Sequence, residues 1–192
     1  PLLKIASSMH LYIWTPEIKE TNYALDFDGT NDYVAADGVT SNLDSSTGLP
    51  FTVSAWAYPD TTTRGAIWAF NKTGNSTENL NLLFYGISSN SKKFTHHGVA
   101  SKIGESTNTF EPGQWHHIVV VVESGNGKMF VNGEEEDTWS SVTNTSVNRF
   151  SIGQEWDPGG ASDFFNGKID EVAVWNVALS AADVTSLYNS GN

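Results

Sequence analysis

Glu155 and Asp157 stand two residues apart in the segment Ile152-Gly-Gln-Glu-Trp-Asp157. In an extended chain such positions share a face, so both carboxylates point one way with the Trp156 carbonyl between them. Calcium accepts such a donor set, taking about six to eight carboxylate, amide and carbonyl oxygens together. The same residues also read as solvated loop acids of an acidic protein. A second oxygen-rich turn, Asp28-Gly-Thr-Asn-Asp32, carries Asp28, Asn31 and Asp32. It reads either as an ion cage or as an Asx-turn, with Asp28 and Asn31 accepting local backbone N–H groups. The pairs His96-His97 and His116-His117 make no chelate by themselves, because adjacent strand residues face opposite sides. No His-Glu-x-x-His, Gly-x-Ser-x-Gly, phosphate loop or cysteine nucleophile occurs. Sequons at Asn71, Asn75 and Asn144 are common by chance in a chain rich in Ser, Thr and Asn.

The elements that must position these residues are short strands. Tyr23–Asp28 alternates, a turn follows, and Tyr33–Ala36 is a second strand. Phe51–Tyr58 places Phe51, Val53, Ala55 and Ala57 on one face. Gly65–Phe70, Leu80–Tyr85 and Lys93–Val99 are further strands, with Asn71–Asn79 expected as a polar loop. Trp115–Val122 is apolar on both faces beyond His117, as a covered central strand requires. Asn132-Gly133 marks a tight hairpin, and Phe150–Gly153 and Phe164–Trp175 complete the strands. Ser180 and Asp183 form a capping-box-like start, followed by an apolar face of Val184, Leu187 and Tyr188 and a stop at Gly191. The fold class expected is an all-β, antiparallel two-sheet jelly-roll sandwich with one short C-terminal helix.

The chain has 192 residues, enough for one domain with a real core. Its net charge of −12 disfavours phosphate backbones and anionic lipid, which excludes nucleic acid as a partner and suits cations. No apolar run approaches the roughly 20 residues of a membrane-spanning helix, so no membrane insertion is expected. There are no cysteines and hence no disulfides. The chain opens at Pro1 and reads as a fragment or processed chain. Residues 1–22 are expected to be a linker, the tail of a preceding domain or an extra edge strand, and residues 23–192 the domain itself.

Several segments resemble the concanavalin A-like jelly rolls of the laminin-G and pentraxin superfamily. They are Ala24–Val34, Phe51–Trp56, Trp115–Val119, Phe165–Trp175 and the helix start Ala178–Val184. Bacterial members of this kind are adhesion or carbohydrate-binding modules. Within the match, Ile152–Asp157 resembles the pentraxin calcium loop, and Glu78-Asn79 stands where that family has its partner ligands, just before an apolar strand. The resemblance therefore implies calcium held by Glu78, Asn79, Glu155, the Trp156 carbonyl and Asp157, with Asp163 a loose match for a second ion. It also implies that Asp170 joins Asp28, Asn31 and Asp32 if that second cluster holds a metal. The pentraxin cysteine pair is absent.

On this resemblance Trp156, Tyr85 and Trp68, with Trp139 and Phe164 beyond them, are expected near the rim, and Trp156 inside the calcium loop is the first choice for ligand contact. Trp56, Trp115 and Trp175 are expected in the core. Laminarinase-type enzymes of this fold carry Glu-x-Asp-x-x-Glu, whereas here Pro158-Gly-Gly160 follows Asp157 and the general acid is missing. The expectation is a non-catalytic, calcium-dependent module, extracellular or on a cell or virion surface, recognising carbohydrate, a surface glycoconjugate or protein. The alternatives are a structural spacer or decoration domain without small ligand and, third, a glycoside hydrolase.

Overall fold

The computed structural model describes residues 24–43, 50–73, 75–86, 91–98, 101–123, 125–140, 147–157 and 159–190, and the side chains of 75–81 and 101 also lie outside that description. The expectation for residues 1–22 falls outside it as well. Two six-stranded antiparallel sheets pack face to face. The first runs in the order β1 (Leu25–Asp28), β14 (Asn166–Trp175), β3 (Phe51–Pro59), β8 (His116–Glu123), β9 (Asn126–Val131), β10 (Glu134–Ser140). The second runs β2 (Val34–Ala35), β11 (Arg149–Ile152), β4 (Gly65–Lys72), β5 (Asn75–Tyr85), β6 (Phe94–Gly98), β7 (Ser101–Glu105). This is the expected jelly-roll sandwich.

Period-two alternation builds the core. Phe51, Val53, Ala55 and Ala57 of β3 and Ile118, Val120 and Val122 of β8 join Trp68, Phe70, Leu83, Tyr85 and Phe94 of the second sheet in one buried cluster. The opposite face of β8 is covered too. Val119 and Val121 pack with Phe130 under Val184 of α1 (Ala181–Ser190). The helix starts as its sequence predicts: the Asp183 N–H donates to Ser180 Oγ at 3.2 Å, and the Ser180 N–H donates to Asp183 Oδ2 at 3.0 Å. The Asn132-Gly133 turn joins β9 to β10 with φ of 53° and 81° at its two residues, as a two-residue hairpin loop requires.

One expectation about elements is corrected. Asn71–Asn79 is not a loop: β4 and β5 extend through it, and only 73–74 separate them. Its Thr, Ser and Asn content hides strands whose backbones pair out to Lys72 and Asn75. Strand β7, polar and short, gave no apolar alternation to read.

Between β11 and β14 the chain leaves the second sheet and crosses to the first. The excursion is a small hairpin, β12 (Glu155–Asp157) paired with β13 (Gly160–Ser162). Gly153 turns the chain out with φ 83°, close enough to Phe27 that a Cβ would strike its ring. Backbone bonds pin both ends: Gly153 N–H to the Ile67 carbonyl (3.0 Å), Phe165 N–H to the Gly153 carbonyl (2.9 Å), and Ala66 N–H to the Asp163 carbonyl (2.8 Å). The hairpin lies over β4 and approaches β5.

Candidate functional site at the β12–β13 hairpin

Alternation along β12 gives the hairpin two chemically different sides. Glu155 and Asp157 face one way and Trp156 the other. On the acidic side, Glu155 is almost fully buried. The Arg64 guanidinium, just ahead of β4, reaches both Glu155 Oε1 (3.3 Å) and Asp163 Oδ2 (2.6 Å). It also lies over the Phe84 ring, 4.6 Å from the centroid. Burial pushes the Glu155 carboxyl up to about 8; Asp163 and then Asp157 add to the rise, and Arg64 opposes it. Asp157 is exposed and accepts a hydrogen bond from Ser162 Oγ at 3.0 Å. His97, on the same side of β6, packs edge-on against Phe84. Its imidazole is held down to about 4 by burial, then by Arg64 and Lys102, with Asp163 opposing.

On the other side, Trp156 meets Tyr33 edge to face, with ring centroids 5.7 Å apart. The Arg149 guanidinium of β11 lies 4.3 Å from the indole centroid. Tyr33 is 42% exposed, so the platform opens to solvent. The Trp156 carbonyl accepts the Asn71 side-chain amide at 3.3 Å, which ties the hairpin to β4.

Several predicted site residues meet here. Glu155, Trp156, Asp157 and Asp163 share the hairpin. The side chains of Glu78 and Asn79 lie outside the described residues, but the Asn79 backbone pairs with Asn71, the residue that holds the Trp156 carbonyl. In kind, these donors fit a hard divalent cation: carboxylates and a carbonyl, with Gln154 beside them, fully buried and with neither amide atom hydrogen-bonded. In the arrangement described, Arg64 is the cation that balances Glu155 and Asp163. Among the described residues no three acidic or histidine side chains close into a cage.

Other predicted residues lie elsewhere. Trp68 and Tyr85 are fully buried core residues, not rim residues. Tyr85 directs its hydroxyl inward, donating to the Phe110 carbonyl at 2.6 Å, and the inner faces of β4 and β5 leave neither ring a path to solvent. Trp139 is also core, stacked on His96, whereas Trp115, expected inside, is 39% exposed against Tyr58. The second cluster does not converge. Asp28 pairs with Asn166 and Leu25 with Ile169, so Asp170 lies at the far end of the β1 pairing from the turn. The turn bonds to itself: Asp28 Oδ1 accepts the Thr30 N–H (2.7 Å) and Asp32 Oδ2, rather than Asn31, accepts the Asp28 N–H (3.2 Å).

Arg64, Arg149, Tyr33 and Gln154 were not legible as site residues. The one signal was rarity: Arg64 and Arg149 are the only arginines in the chain, and both come to this hairpin.

Residues 28–185 match the model of the concanavalin A-like lectin/glucanases superfamily. Among solved structures, the chain is similar to a native heptameric SAP-like pentraxin from Limulus polyphemus (TM-score 0.64, 21% identity, 85% of this chain and 80% of that one). It is also similar to the CBM40 of the Ruminococcus gnavus IT-sialidase bound to alpha2,3 sialyllactose (TM-score 0.69, 14% identity, 87% and 97%). A third is domain 4 of AbnA, a GH43 extracellular arabinanase from Geobacillus stearothermophilus, in complex with arabinotriose (TM-score 0.57, 24% identity, 76% and 68%). At these identities the likeness is one of fold. No curated protein sequence matches the chain.

Proposed function

Because the chain belongs to the concanavalin A-like lectin/glucanases superfamily, we propose that it is a non-catalytic, extracellular carbohydrate-binding module that reads its ligand at the β12–β13 hairpin. The observation that carries this reading is the hairpin itself, which sets the solvent-open Trp156–Tyr33 platform beside a cluster of three carboxylates. An aromatic face suits the C–H face of a pyranose, and polar groups around it fix orientation. Two of the structural neighbours are sugar complexes. Against hydrolysis, Glu155 is buried and shares the Arg64 guanidinium with Asp163, whereas a retaining pair needs two substrate-facing carboxyls about 5–5.5 Å apart.

The calcium part of the proposal rests on the acidic side. Burial raises the Glu155 carboxyl's affinity for a proton, Asp163 and Asp157 raise it further, and their repulsion favours a bound cation. Glu155, Asp157, the Trp156 carbonyl, Glu78 and Asn79 would hold the ion, which would fix the hairpin and offer coordination positions to sugar hydroxyls.

Two experiments test this. Glycan-array binding should be seen for the native protein in millimolar calcium and lost in Trp156→Ala. Calcium should also raise the melting temperature, by mass action worth about 2.7 kcal/mol at a hundredfold excess over Kd. Asp157→Ala should lose that rise while keeping its calcium-free melting point. A melting curve unmoved at roughly 10 mM calcium, well above the ~10⁻⁴–10⁻³ M Kd of extracellular modules, removes the calcium part. Glycan binding that survives Trp156→Ala removes the site.

A further inference from the structure

From the Arg149–Trp156–Tyr33 cluster we infer that the ligand is an acidic sugar, a pyranoside bearing a carboxylate that Arg149 receives; this rests on the carbohydrate-binding reading above. The chain has 22 acidic and 10 basic side chains, so a cation on its surface finds a carboxylate easily. Arg64, Lys92, Lys93, Lys102, Lys128 and Lys168 each do so, at 3.8 Å or closer. The Arg149 side chain makes no hydrogen bond and no ion pair among the described residues, though its backbone pairs with Asn71. Among the described residues its guanidinium lies instead over the indole of Trp156, 4.3 Å from the ring centroid.

That placement is selective. A guanidinium is weakly hydrated and stacks on an aromatic face, and its five N–H donors then remain for a planar anion. Carboxylate is one of the anions its fork matches bidentately, phosphate being the other, and it is the planar one. Arg149 also covers the indole that a sugar would approach, so cation and aromatic surface are met together, with the exposed Tyr33 ring beside them. The carboxylates of the acidic side do not reach across, because they leave β12 from its opposite face. The two arginines thus divide the work. Arg64 neutralises the hairpin's own acids, and Arg149 is left for an acid that arrives with the ligand.

The test uses matched probes on the whole chain by isothermal calorimetry: 3′-sialyllactose against lactose, and trigalacturonic acid against its methyl ester. The native protein should bind at least one acid roughly ten- to a hundredfold tighter than its uncharged counterpart, with the preference shrinking as salt rises. Arg149→Ala should bring the acid down to its counterpart's affinity, and Arg149→Lys should restore part of the difference. Should Arg149→Ala not fold, the methyl-ester comparison on the native protein decides alone. Equal affinity for acid and counterpart, or a preference that survives Arg149→Ala, overturns the assignment to acidic sugars while the carbohydrate reading stands. Binding of no glycan in the panel or on an array overturns both.

Discussion

His96 shows how a residue outside the site sets the conditions under which the module works. It is fully buried in the core, stacked on Trp139 with ring centroids 4.6 Å apart, and neither ring nitrogen has a hydrogen-bond partner. Burial holds its imidazole down to about 3, and His97 and His117 are held to about 4. Well above pH 6.5 these histidines are neutral folded or unfolded, and stability does not change with pH through them. Below it the unfolded chain gains protons that the folded one refuses, so stability falls. For His96 the loss at pH 5 is about 2 kcal/mol. Glu155 acts in the other direction: with its carboxyl raised to about 8, its contribution is complete below the unfolded value near 4.5 and disappears as pH rises through 8. Melting curves from pH 4.5 to 8.5 should therefore show a loss on the acid side. His96→Phe should make that acid slope shallower, whatever it does to the melting point at pH 7. An unchanged slope would mean that His96 is protonated in the fold.

At the scale of elements, β14 carries the tightest demand on sequence. Gly167 lies inside it, between Phe27 of β1 and Pro59 of β3, with φ 140°. A side chain there would run into the Tyr58 carbonyl of the neighbouring strand. Asn166-Gly167 lies inside a segment the sequence reads as strand, and the structure makes it a point of close strand approach. Gly160, in β13, has a similar φ of 128° with open space around it. Gly160→Ala should therefore cost only backbone strain, of order 1–3 kcal/mol. Gly167→Ala should cost more, with urea midpoints making the comparison. Equal midpoints would show that strain alone, and not the collision, is what matters. The sandwich was legible because its strands either alternate or run apolar on both faces between clear turn signals, and its helix carries a complete cap. β5 was half missed because pairing partners, rather than its polar residues, extend it.

The molecule as a whole shows why the site was only partly legible. Glu155, Trp156, Asp157 and Asp163 are near neighbours in the chain, and local spacing suffices to group them. Arg64, Tyr33 and Arg149 come from three other segments, and only the packing of the hairpin over β4 and beside β2 and β11 assembles them. Trp68 and Tyr85 were misplaced for a related reason: a one-residue choice of strand face moves a ring from rim to core. The fold offers a competing concavity, a groove of ≈ 840 Å³ on the outer face of the first sheet, lined by Lys128, Thr138, Ser140 and Leu179 among others. Hydrogen–deuterium exchange with a bound glycan separates the two surfaces without presupposing any side chain's role. Ligand at the hairpin should slow exchange in peptides covering 149–163 and 31–36, and leave 121–130 and 178–181 unchanged. Protection confined to 121–130 and 178–181 would place the ligand in the groove and contradict the hairpin site.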